Sequence, residues 1–190
     1  MFDPVQDLLF RAEFFIKAHT RLRSTFLEKM PADAAAQTEY FDLPLTNLSV
    51  LNANLYLFEA VSCLASLLRE SRNDPTKDEI SFAHLTEKLA DTAKQSFQSR
   101  LKAVFEEYRN SGLEDMRNKY VDHKDLKLSG DPTAAFINLP EGILVDSCSK
   151  LIDELGRLYQ DYFPGRVTNN YFSDYYSNAI EKHVELLSQT

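Results

Sequence analysis

The stretch from Asp3 to Pro31, DPVQDLLFRAEFFIKAHTRLRSTFLEKMP, decides the fold class. Val5, Leu8, Leu9, Ala12, Phe15, Ile16, His19, Leu22 and Phe26 recur three and four residues apart, which is the spacing of one face of a helix. Asp3 offers an N-cap oxygen, and Pro4 suits the first helical position, where its missing N–H costs nothing. Pro31 cannot continue the helix and ends it. His19 falls on the apolar stripe and reads as a core or boundary histidine, not a ligand.

Outward from this helix the same period returns. A polar, Ala-rich link runs to about Pro44, and a second helix is predicted from about Thr46 to Arg72. Leu51, Leu55, Phe58, Val61, Ala65 and Leu68 form one of its faces, and Val50, Leu57 and Leu64 add another. A helix apolar on more than one face is central to its bundle or shared with a partner chain. Glu59 interrupts it as a boundary carboxylate with a lysine or arginine partner. Ser81 caps a long third helix with Phe82, Leu85, Leu89, Ala93, Phe97, Leu101, Val104 and Tyr108 on its stripe, and Ser111-Gly112 kinks it. After a loop through Asn138, Pro140 opens a helix with Leu144, Cys148, Leu151, Ile152, Leu155, Leu158 and Tyr162 inward. Ser173 caps a last helix bearing Tyr176, Ile180, Val184 and Leu187. No strand alternation interrupts this pattern. The expectation is an all-α, up-and-down bundle of four to five helices in a single domain over residues 1–190.

Composition narrows the function. The 190 residues are 44% hydrophobic and 26% charged, ordinary for a globular domain. A net charge of −8 counts against non-specific polyanion binding, which needs a basic surface. Two cysteines, Cys63 and Cys148, make neither a disulfide framework nor a zinc site. The N-terminus lacks a basic segment before its apolar residues, and no apolar run is read as spanning a membrane, so a cytoplasmic protein is expected. Phosphate-binding glycine loops, HExxH, CxxC pairs and G-x-S-x-G are absent, and no Glu-x-x-His accompanies the helical carboxylates. No cofactor and no metal are expected. The aromatic cluster Tyr159, Tyr162, Tyr171, Phe172, Tyr175 and Tyr176 reads as packing ahead of base stacking.

One segment carries chemistry: residues 114–125, EDMRNKYVDHKD. Arg117 is followed by the polar Asn118 and, after five intervening residues, by His123. This string resembles the signature of the HEPN superfamily of helical bundles, and RNKYVDHKD is similar to that of its abortive-infection branch. The resemblance implies a homodimer in which Arg and His of both chains meet at the two-fold axis. In active members it implies metal-independent RNA cleavage in phage defence or as a toxin, with an antitoxin or regulatory protein as a further partner. Asp122 stands where that branch usually carries a small residue, and an acid there favours the protonated imidazole or repels a phosphate.

Helix geometry bears on this independently. Leu113, Met116 and Tyr120 form one apolar stripe, and Arg117 and His123 flank it about 120° apart and about 9 Å along the axis. Within one straight helix they do not touch. An isologous contact through the stripe brings each Arg towards the partner's His. Histidine can remove the 2′-OH proton or protonate the leaving 5′ oxygen, and a guanidinium stabilises the charge on the phosphorane. Arg117, Asn118 and His123 are therefore the catalytic candidates, and Lys119, Lys124 and Tyr120 the candidates for contact with an RNA substrate. A second reading stays open, a non-catalytic bundle that binds or scaffolds a partner protein.

Overall fold

Proline at the first helical position sets where the chain enters its first helix. In a computed structural model, which describes residues 4–69, 80–117, 141–164, 177–182 and 184–186, α1 spans Pro4–Lys29. Asp7 in its first turn and Lys29 in its last complement the helix dipole. The predicted stripe is the one that is buried, from Val5 through Phe26.

The Ala-rich link predicted to be irregular holds a helix, α2, Ala34–Asp42. The Asp33 carboxylate accepts the N–H groups of Ala35 and Ala36, each at 3.0 Å, and this cap starts it. None of its residues is buried, so it has no apolar period to read.

Helix α3 spans Pro44–Leu67, closing earlier than the predicted Arg72, with Leu68 as its C-cap. Its inner side takes residues from both predicted faces: Leu57 and Leu64 of one, and Val61, Ala65 and Leu68 of the other, are buried together with Ala53, Ala60 and Leu67, whereas Leu51 and Leu55 stand 45% and 48% exposed. Small residues decide this: Ala53 and Ala60 on α3, like Ala12 and Ala18 on α1, are almost fully enclosed and let the two backbones approach closely. His19 fastens the pair, its Nδ1–H donating to the Ala53 carbonyl at 2.7 Å from a site 1% exposed. It is a core histidine, as its place on the stripe suggested. Glu59 is exposed and has no cationic partner among the ion pairs of the described residues, contrary to the boundary role expected of it. By length and composition α3 could cross a membrane, with a mean hydropathy of 1.4 in its most apolar window, but half of that window is buried in the bundle.

The predicted long third helix is divided. Ser81 does cap, its Oγ accepting the His84 N–H at 3.4 Å, but α4 covers only Phe82–Leu85 and a 3-10 turn over Thr86–Lys88 follows. Leu89 and Ala90 are extended, and α5 starts afresh at Asp91, running to Asn110. The Asp91 carboxylate, 3.0 Å from Lys94 in the new first turn, fits the restart. The break lets Phe82 and Phe97 both enter the core, their rings stacked 6.4 Å apart. The kink at Ser111-Gly112 is present, and α6, Leu113–Met116, follows it.

Helix α7, Glu141–Tyr162, buries Leu144, Cys148, Leu151, Ile152, Leu155, Leu158 and Tyr159 as one face. Tyr162 is half-buried at its edge, the hydroxyl donating to Ser96 Oγ at 2.7 Å. Arg100 pairs with Asp161 at 2.7 Å and Lys150 with Glu107 at 2.5 Å, so α5 and α7 run antiparallel. Of the C-terminal residues, Ile180 and Val184 are buried against Ala18, Leu22 and Ala53. The result is an all-α bundle built on four long helices, α1, α3, α5 and α7, and every element assigned among the described residues is helical.

Candidate functional site

Arg117 is placed by a short chain of local causes. The Tyr108 carbonyl accepts from Ser111 Oγ at 2.7 Å, and Ser111 Oγ accepts the Leu113 N–H at 3.2 Å. Gly112 takes φ 81°, a left-handed conformation that costs an L side chain about 1–2 kcal/mol. The chain turns there, and α6 drives Leu113 and Met116 into the core at 0% and 2% exposure. These are two members of the stripe expected to meet a second chain; both are instead enclosed in the core of one chain, so they do not form that isologous contact. Arg117 follows at once as the C-cap, with its N–H on the Leu113 and Glu114 carbonyls, half-buried at the edge of that anchor. Asn118, Lys119, Tyr120, His123 and Lys124 lie outside the described residues.

Gly112→Ala tests how firmly this turn is set. An added Cβ meets nothing within 4 Å, so the cost is conformational alone. We expect a loss of about 1 kcal/mol, a fall in Tm of roughly 2–4 °C for a chain of this size, measured by thermal denaturation. An unchanged Tm would show that the left-handed turn is not held.

Elsewhere the surface is one of paired charges. Arg11–Asp7, Lys17–Glu13, Arg21–Glu181 and Lys94–Asp91 join Arg100–Asp161 and Lys150–Glu107. A cleft of about 590 Å³ lies between α1 and α7, and its lining includes Arg157 together with two carboxylates, Glu13 and Asp153. A smaller one of about 230 Å³ between α5 and α7 holds Arg100, Arg157 and Glu154. Neither gathers the unopposed cations a phosphate chain needs. Among the described residues no three His, Cys, Asp or Glu side chains group as a metal site requires. No family profile, curated protein or solved structure matches the chain.

Both cysteines behave as buried hydrophobes. Burial pushes the Cys148 thiol up to about 12 and, with the charge of Glu59 added, the Cys63 thiol up to about 11, so neither is a nucleophile at neutral pH. Tyr159 and Tyr162 pack against Phe163 and Phe97, as the packing reading of the aromatic cluster had it; Tyr171, Phe172, Tyr175 and Tyr176 lie outside the described residues.

Glu154 was not visible in the sequence as a titrating group. Burial, and then the negative charge of Glu107, holds its carboxyl above the usual carboxylate range. An acid whose pKa is raised on folding takes up a proton more readily in the folded state. The penalty on folding is thus present at pH 7 and disappears as pH falls through the folded pKa towards the unfolded value near 4.3. Glu154→Gln is expected to raise Tm at pH 7 and to match the wild type below about pH 4. The reverse order at pH 7 would mean that the attraction of Lys150, 4.0 Å away, outweighs the burial.

Proposed function

We propose that the chain is a homodimeric, cytoplasmic, metal-independent endoribonuclease of the HEPN type, acting in phage defence or as a toxin. The observation that carries this reading is the string Arg117-Asn118…His123 within RNKYVDHKD. Its setting supports it: the string begins where a kinked helix anchors Leu113 and Met116 in the core of an all-α bundle. In the reaction a histidine of one protomer removes the 2′-OH proton, and the 2′ oxygen attacks the adjacent phosphorus. The P–O5′ bond breaks, and the partner's histidine protonates the departing 5′ oxygen. Arg117 stabilises the charge on the phosphorane, Asn118 holds a phosphate oxygen or orients His123, and Lys119, Lys124 and Tyr120 contact the strand. An antitoxin or regulatory protein is the further partner. Cleavage of RNA by the wild type, lost in His123→Ala, tests this.

One observation favours the non-catalytic reading instead. Half-exposed leucines line the outer side of α3 on a protein of net charge −8, as a protein-binding bundle would display them. A folded protein that binds a partner through that side and cleaves no RNA would establish it.

A further inference from the structure

Helix α3 turns apolar residues in two opposite directions. Ala53, Leu57, Ala60 and Leu64 face the bundle, and Leu45, Leu48, Leu51 and Leu55 face away, exposed by 38%, 47%, 45% and 48%. At 100° per residue these four leucines fall within an arc of about 120°, as wide as the stripe a helix normally turns to a core. Phe41 and Leu43, 39% and 43% exposed, extend the patch at the turn between α2 and α3. From Leu43 to Phe58 there is no charged side chain. The C-terminal helical residues do not bury these leucines, since Ile180 and Val184 pack with Ala53 and Tyr56.

We infer that the outer face of α3, Leu45, Leu48, Leu51 and Leu55, packs against the same face of a second copy of the chain. Charge selects this occupant. A protein of net charge −8 repels its copy across most surfaces, and the uncharged run over residues 43–58 is where two copies meet without burying like charges. Size agrees. Six side chains exposed to this degree present roughly 450 Å² of apolar surface, within the range of the largest patches that single proteins expose. As interfaces are about 60% apolar, that corresponds to roughly 750 Å² per protomer, close to the ~800 Å² of a standard stable interface. Geometry completes the case. Leucines three and four residues apart over about 15 Å interdigitate with an antiparallel copy about a two-fold axis. The inference goes beyond the nuclease reading and holds whether or not the chain cleaves RNA.

The test is sedimentation equilibrium of the full chain and of Leu51→Glu/Leu55→Glu, with helicity followed by circular dichroism. The wild type is expected to be a dimer at micromolar concentration. The double variant, folded because both positions already reach water in one chain, is expected to be monomeric, with Kd raised by about a hundredfold or more. If the double variant does not fold, Leu51→Cys decides. Cys63 and Cys148 are buried, so its thiol is the reactive one, and it should cross-link copies where Ser99→Cys on exposed α5 does not. A wild type that stays monomeric, a double variant as dimeric as the wild type, or thiol cross-linking no better at position 51 than at 99 overturns the inference. So does a monomer that binds neutral phosphatidylcholine vesicles through these leucines. A double variant that remains dimeric would leave the nuclease reading standing, with its interface elsewhere.

Discussion

Phe97→Ala lowers the unfolding free energy by about 3–5 kcal/mol and Tm by roughly 10 °C or more. The ring is fully enclosed. It stacks on Phe82 at 6.4 Å and meets Tyr162 and Phe163 edge-on at 5.1 and 6.3 Å. Each such pair adds about 0.5–1.5 kcal/mol to the burial itself. The site cannot collapse easily, because its walls come from three separate helical pieces: α4, α5 and the end of α7. Phe82 is held in turn by Tyr159 at 6.5 Å, so the loss spreads to α4. Phe41→Ala is the control. Its ring is 39% exposed with edge contacts to Phe26 and Tyr40 only, and about 1 kcal/mol or less is expected. Equal losses at the two positions, measured by urea denaturation, would contradict this placement of the core.

Arg117→Ala and His123→Ala each reduce RNA cleavage by at least about a thousandfold, while Tm and helicity stay close to wild type. Removing an acid-base group or a charge-stabilising guanidinium each costs several factors of ten, and Arg117 lies half-buried beyond the enclosed Leu113 and Met116 of α6. Met116→Ala should lower Tm by contrast. Mixing wild type with an excess of His123→Ala distinguishes a composite site from two independent ones. A mixed dimer keeps only one of the two histidines the reaction uses, so activity per wild-type chain should fall as the variant is added. Activity per wild-type chain that does not change, with subunits shown to exchange, would argue that each protomer carries its own complete site.

Much of the fold was legible because its signals were periodic. The stripes of α1 and α7, the kink at Ser111-Gly112 and the inward Ile180 and Val184 follow from three- and four-residue spacing alone. What was not legible lacks a period. Helix α2 buries nothing, and only the Asp33 cap announces it. The break before α5 has neither glycine nor proline, and arises where Phe82 and Phe97 both reach the core. The inner side of α3 was read only in part, through Leu57, Val61, Leu64, Ala65 and Leu68, because its leucines occur all round and the small Ala53 and Ala60 complete the face that meets α1. Of the candidate site only Arg117 lies among the described residues, as the C-cap that follows the buried Leu113 and Met116. Its spacing to His123 gives an angle around a helix, and an angle cannot by itself say which second surface completes a site. Of the α3 leucines read on faces turned to the core or a partner, Leu57 and Leu64 are buried and Leu51 and Leu55 face outwards.

The nuclease reading stands or falls on one assay. Purified wild-type protein is incubated with a mixed RNA substrate in excess EDTA, and the product ends are identified. The account predicts cleavage that EDTA does not abolish, leaving 2′,3′-cyclic phosphate and 5′-hydroxyl ends. RNA left intact by a folded, dimeric protein, or cleavage that returns only when a divalent metal is added, would contradict it.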